Sequence, residues 1–256
     1  ETNLVHIEGA GHVKMDTDSV LAFEDVDFAY PEGPLVLHDI SFSLQKGKTY
    51  ALVGPTGGGK TTTASLMARL YDPTQGTVLL HGKDIRTYSD EERTKKIGFI
   101  LQEPFLFGGT LKDNILYGND EYQDYDTKKT EKCIKDAGLT ELLSRFEQGL
   151  DTPVSTSGDS VSLGQKQLIA FIRAVLRKPD ILILDEATAN VDTVTEEMLQ
   201  KVLDALPKET TLVVIAHRLH TIAKADEIFF VNGGEVVSAG SMEHAVEMLM
   251  HGKRKS

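Results

Sequence analysis

The sequence predicts an α/β fold built on a mostly parallel central sheet, and three observations carry the prediction. Ile181-Leu-Ile-Leu184 and Thr211-Leu-Val-Val-Ile-Ala216 are short, wholly apolar runs, the pattern of strands buried on both faces of a parallel sheet. A third apolar run, Tyr50-Ala-Leu-Val53, leads into the glycine-rich stretch Gly54-Pro-Thr-Gly-Gly-Gly-Lys60-Thr61 and then a helical segment, giving strand, loop and helix in that order. Partly alternating runs precede that loop, so an antiparallel layer comes before it.

Taken in order, residues Glu1 to Ser19 carry little periodicity and read as a leading segment or linker. Val20 to Tyr30 and Val36 to Leu44 read as strands, with a turn at Pro31-Glu-Gly-Pro34 and another at Gln45-Lys-Gly47. Thr61 to Leu70 is helical, Asp72 to Gly76 a turn, Thr77 to Leu80 a strand, and Lys96 to Leu101 a further strand. From Leu111 to about Leu176 the pattern turns helical, with Thr130 to Ala137 and Glu141 to Phe146 as amphipathic pieces. Thr195 to Leu206 is a helix stopped by Pro207, and Gly233-Gly234 joins Glu227–Val231 to Glu235–Ala239 as a tight hairpin. The expected division is a leading segment 1–19, a core of 20–110 with 177–256, and a helical subdomain 111–176.

With 256 residues the chain can bury a full α/β core. Hydrophobic and charged contents of 40% and 26% suit a globular protein, and no run approaches the ~18 apolar residues that cross a bilayer. The formal charge of −12 argues against a nucleic-acid partner, which needs a basic face. The lone Cys133 excludes an internal disulfide and suits a reducing compartment. Since the first residue is Glu1 rather than Met, the chain is expected to be a piece of something longer.

The glycine-rich stretch fits G-x-x-x-x-G-K-[ST], whose chemistry is specific. Main-chain N–H groups at a helix start point at phosphate, glycines allow close approach, lysine reaches the β- and γ-phosphates, and the hydroxyl ligates Mg²⁺. Gly54, Pro55, Thr56, Gly57, Gly58 and Gly59, with Lys60, Thr61 and Thr62, form the expected cradle for a nucleoside triphosphate. Because the whole chain is acidic, attraction for a polyanion must come from these local groups and a divalent cation. Ile181-Leu-Ile-Leu-Asp185-Glu186 is a buried strand ending in two acids. Asp185 then lies at the carboxyl edge of the sheet, able to hold Mg²⁺, and Glu186 is the candidate general base toward water. Ser162-Leu-Gly-Gln165 opens the helix running to Leu176; Ser-x-x-Gln is a capping box, and the same helix start is also an anion site.

In this order, the phosphate loop, Ser162–Gln165, Asp185-Glu186, Asp192 and His217 resemble the nucleotide-binding domain of an ATP-binding cassette transporter, over about Val20 to Leu249. The resemblance implies that Tyr30 stacks on adenine, that Gln102 senses Mg²⁺, that Asp192 is the loop aspartate of the nucleotide interface and that His217 contacts the γ-phosphate. Ser162, Gly164 and Gln165 would cap ATP held by a second such domain, paired head to tail. Phe105-Leu-Phe-Gly-Gly-Thr-Leu-Lys-Asp-Asn-Ile-Leu-Tyr-Gly118 is similar to exporter-type domains. That implies a membrane-spanning region fused on the amino-terminal side, a place at the cytoplasmic face of a membrane, and Mg²⁺-dependent ATP hydrolysis driving export. The other readings are a soluble cassette ATPase and a nucleotide-binding switch with negligible turnover. Two departures stand out. Leu163 replaces a glycine of the signature, at a cost of about 1–2 kcal/mol if the position requires positive φ. The stretch Thr152-Pro-Val-Ser-Thr156-Ser-Gly158 lacks the glutamate frequent in exporters.

Overall fold

A computed structural model of the chain describes residues 18–100, 104–122, 124–155, 160–185, 192–217, 219–240 and 242–251. In chain order, β1 (Ser19–Ala29), β2 (Leu35–Gln45) and β3 (Thr49–Val53) precede the glycine-rich loop and α1 (Lys60–Met67). β4 (Gln75–Leu80), β5 (Lys83–Asp84), α2 (Asp90–Lys96) and β6 (Ile97–Ile100) follow, then β7 (Gly109–Thr110) and α3 (Leu111–Leu116). Next come α4 (Thr127–Asp136), α5 (Thr140–Leu143), β8 (Pro153–Val154) and α6 (Leu163–Leu176). The chain continues through β9 (Ile181–Asp185), α7 (Thr193–Asp204), β10 (Thr211–Ile215) and α8 (Leu219–Lys224). It closes with β11 (Glu227–Asn232), β12 (Glu235–Ser238) and α9 (Met242–His251). The chain divides into two compact units.

The first unit comprises Glu1–Ile97, Asp180–Ala187 and Glu209–Ser256. Five strands of the larger sheet lie in it, in the order β12-β11-β3-β10-β9. β3 sits between β10 and β11, parallel to both, and β10 is also parallel to β9. Strands with neighbours on each edge and helices over their faces hold apolar side chains on both sides. The residues of β3 from Tyr50 to Val53 and of β9 from Ile181 to Ile183 are accordingly buried. The antiparallel layer expected ahead of the loop is present as β2-β1-β4-β5. Its inner face contributes Phe23 and Phe42, stacked at 4.6 Å, and Phe42 meets Phe229 of β11 at 5.2 Å. Burying each such ring contributes about 1.5–3 kcal/mol. These features make the fold α/β, with parallel strands around the loop.

α1 is shorter than its sequence pattern, stopping at Met67 rather than Leu70. Arg69 takes a left-handed backbone at φ 53°, its N–H reaching Leu66 and that of Leu70 reaching Ser65. This is a Schellman end, and a residue other than glycine makes it. Arg93 helps: its guanidinium donates to the Ala68 and Arg69 carbonyls at 2.6 and 3.0 Å, which favours a helix terminus carrying partial negative charge. α2, α8 and α9 go beyond the elements expected from periodicity. α2 does carry a local signal, the capping box Ser89 with Glu92.

The second unit comprises Gly98–Pro179 and Thr188–Lys208. The stretch read as helical from Leu111 to Leu176 is a series of short helices. Gly118, Gly138 and Gly149, all at positive φ, mark its bends, and β8 within it pairs with β7 just ahead of it. Thr110, Asp126 and Ser162 cap α3, α4 and α6 through side-chain oxygens. Asn114 is fully buried, its amide bonded to Phe107 and Thr110 main-chain atoms. Arg173 donates to the Asn114 and Phe105 carbonyls at 2.7 and 3.0 Å, and burial pulls its guanidinium down to about 10.

Candidate functional site

The glycine-rich loop starts where β3 leaves the middle of the sheet, so its neighbours are set by the strands beside it. A Cβ on Gly54 would lie 2.0 Å from the Val231 carbonyl oxygen, and Gly54 has φ 145°. One on Gly58 would lie 2.6 Å from the same oxygen. The carboxyl end of β11 therefore packs directly on the loop, and Gly58 owes its lack of a side chain to that packing rather than to an unusual backbone angle. Gly59 caps α1 in the left-handed region at φ 111° with no side-chain bond, which leaves the first N–H groups of the helix for a ligand. Pro55, Thr56 and Gly57 are exposed at the loop tip, and Gly57 has nothing within 4 Å of a Cβ. Gly54→Ala combines a backbone collision with a disfavoured angle. A loss of at least about 3 kcal/mol of stability is expected, measurable by denaturant unfolding, while Gly57→Ala loses only the smaller cost of its angle.

Lys60 is the first residue of α1 and only 7% exposed. Its ammonium donates to the Gly54 and Pro55 carbonyls at 2.6 and 2.9 Å. Burial pulls its pKa below the usual lysine value, and the nearby Asp185 carboxylate partly restores it. Thr61 is exposed at the helix start, and Thr62 and Thr63 are buried. Asp185 ends β9 with its side chain 12% exposed, and His217, two residues beyond β10, has Nε2 3.7 Å from its Oδ1. Parallel pairing of Asp185 with Ile215 brings the two strand ends level. Tyr30, one residue past β1, places its hydroxyl 2.9 Å from Thr62 Oγ1. Glu186 and Gln102 lie outside the described residues.

The remaining predicted residues are in the second unit. Ser162 Oγ accepts from the Gln165 N–H at 3.1 Å, and Gln165 Oε1 accepts from the Ser162 N–H at 2.9 Å. Leu163 is the first residue of α6 and is not among the positive-φ positions, so the strain that a left-handed position would impose does not arise. Gly164 also lacks a positive φ, and a Cβ there would meet only Ser162 Oγ, at 3.9 Å. Asp192 caps α7: Oδ1 accepts from the Thr195 N–H and Oδ2 from its hydroxyl. Those two bonds hold its carboxyl below the usual carboxylate range, with Arg145 adding to them.

Arg145 is not evident from the sequence. Its guanidinium meets Asp192 Oδ2 at 2.9 Å, and its carbonyl accepts from Gln165 Nε2 at 2.9 Å. One residue thus joins the first turn of α6 to the cap of α7. Its partners lie 20 and 47 positions away, so no local pattern marks it. Tyr71 is missed for the same reason, packed edge-on against Tyr30 at 5.1 Å.

Comparison with known proteins bears on these sites. Residues 37–189 match the model of the ABC transporter family. The Bacillus subtilis protein named "Probable multidrug resistance ABC transporter ATP-binding/permease protein YheH" is 43% identical over 226 residues, covering 88% of this chain and 33% of its own length. The ATP-dependent lipid A-core flippase of Sodalis glossinidius is 45% identical over 225 residues, 87% of this chain and 38% of its own. A solved bacterial Atm1-family ABC exporter with ATP bound aligns with a TM-score of 0.79 at 33% identity, covering 98% of this chain and 46% of that one. The chain therefore spans well under half the length of these curated relatives. With a family match reaching from β2 across the phosphate loop to the end of β9, the chain belongs to the ABC transporter family, as an ATP-binding domain of that fold.

Proposed function

We propose that this chain hydrolyses ATP with Mg²⁺ and powers an exporter from the cytoplasmic face of a membrane. The observation that carries the reading is the buried Lys60 ammonium, held on two loop carbonyls beside a helix start whose first N–H groups are uncapped. Exchanging neutral carbonyl acceptors for negatively charged β- and γ-phosphate oxygens adds Coulomb attraction between opposite charges, which is stronger at a site removed from water. The adenine ring stacks on Tyr30, and main-chain N–H groups of the loop and helix start, from Gly57 to Thr62, grip the phosphates.

Asp185 and the exposed Thr61 hydroxyl offer oxygen donors, which suit a hard cation. Asp185, Thr61 and Gln102 would hold it, and when bound it would neutralise charge on the phosphate oxygens. Glu186 takes the proton of the attacking water, and His217 contacts the γ-phosphate from beside Asp185.

The partners in this reading are a second nucleotide-binding domain and a membrane-spanning domain fused on the amino-terminal side. Residues 111–176 act as the helical subdomain presenting Ser162, Gly164 and Gln165 to the other chain's ATP, with Asp192 alongside. Gly164 supports this: the chain's own packing leaves room for a side chain there, so close approach by a ligand supplies the reason for glycine. The relatives named as an ATP-binding/permease protein and a flippase support the membrane partner. The test is phosphate release by the full transporter in membranes. Turnover should stop on chelation and return with added Mg²⁺, whereas turnover indifferent to chelator removes the metal from the reading.

A further inference from the structure

Tyr30 is held on three sides within the first unit. Phe28 meets its ring edge-on at 4.9 Å with the planes 82° apart, and Tyr71 does so at 5.1 Å and 90°. The third hold is polar: the Tyr30 hydroxyl lies 2.9 Å from Thr62 Oγ1. Thr62 is 6% exposed and belongs to the first turn of α1, two residues after Lys60. The aromatic ring is therefore tied by one hydrogen bond to the helix that follows the phosphate loop.

A hydroxyl has one proton to give and two lone pairs to receive with. When the Tyr30 hydroxyl donates to Thr62, Thr62 keeps its own proton for an acceptor at the helix start. The edge contacts with Phe28 and Tyr71 limit the tilt of the ring, and the hydroxyl sets its distance from α1. Binding to a surface already ordered avoids the entropy cost of ordering it.

We propose that the Tyr30 and Thr62 hydroxyls form a latch that fixes the base platform to the phosphate-binding helix, so that base and phosphates are gripped by one rigid unit. Tyr30 thereby acts through its oxygen as well as its ring, and Thr62 and Tyr71 are positioning residues for the base. The inference rests on the ATP-site reading above and deepens it. A platform that only stacks needs an aromatic face and no hydroxyl; a latch needs both oxygens.

The test measures equilibrium binding of ATP and of inorganic tripolyphosphate, which has no base, to the wild-type chain and to Tyr30→Phe, Thr62→Val and the double variant. Tyr30→Phe should weaken ATP about three- to tenfold, the effect of one neutral hydrogen bond, and leave tripolyphosphate unchanged. Thr62→Val should weaken ATP at least as much, and adding Tyr30→Phe to it should cost nothing further. Tyr30→Phe binding ATP as tightly as wild type would overturn the latch. So would full additivity in the double variant, or an equal loss of tripolyphosphate, which would mean the hydroxyl shapes the loop instead. If the wild-type chain binds no ATP, or if Lys60→Met leaves ATP affinity intact, the site reading itself falls, a result distinct from failure of the latch.

Discussion

Lys60→Met is expected to weaken ATP binding on the order of a hundredfold, about 3 kcal/mol, the usual loss when one partner of a desolvated, hydrogen-bonded charge pair is removed. Methionine keeps most of the stem and its packing at the start of α1, so the loss falls on the charge. The same substitution should leave the protein no less stable. In the ligand-free chain the ammonium is buried against neutral carbonyls, and burial pulls its pKa down, which means its charged form costs stability. The sign follows from linkage. Where the folded pKa is below the unfolded one, the unfolded chain binds more protons between the two values. Stability attributable to Lys60 therefore rises as pH increases through its lowered folded pKa toward the ordinary lysine value. Denaturant unfolding at several pH values should show that alkaline rise in the wild type and a flatter profile in Lys60→Met. A variant that binds ATP normally would remove Lys60 from the phosphate site.

Glu186→Gln should reduce turnover by at least two to four orders of magnitude, the range contributed by a positioned general base, while ATP still binds. The amide matches the carboxylate in size but does not accept the water proton. Glu186 follows directly on Asp185, whose strand β9 is paired in register with β10. The proposed reading asks different chemistry of the two acids: Asp185 would help hold the cation, and Glu186 would take the proton of the attacking water. Single-turnover phosphate release, read beside nucleotide affinity, separates the roles. Unchanged release in Glu186→Gln would take the residue out of the chemical step. Loss of affinity in step with loss of release would make it a binding residue.

Much of the fold was legible because its signals are local. Apolar runs the length of a strand marked β3, β9 and β10, and Gly233-Gly234 marked the turn between β11 and β12, where both glycines have positive φ. The Ser162 and Gln165 capping box was visible for the same reason. The end of α1 was not, because Arg69 makes a left-handed stop that glycine more often makes. Nor was the broken path between Leu111 and Leu176, where average helical character hides the glycine bends.

By itself the sequence marked the groups that the proposed reading assigns to the chemistry: a lysine at a helix start after glycines, two acids following a buried apolar run, a serine at a helix cap. Each is a run of neighbours, and spacing along the chain sets their geometry through the regularity of strands and helices. Tertiary structure alone decided why Gly54 and Gly58 cannot carry side chains, since the Val231 carbonyl that excludes them is far along the chain. It also decided that Arg145 ties Gln165 to Asp192 and that Tyr30 is fixed by Thr62 and Tyr71. Those contacts join residues from 20 to nearly 180 positions apart, and only folding brings them within hydrogen-bond or packing distance.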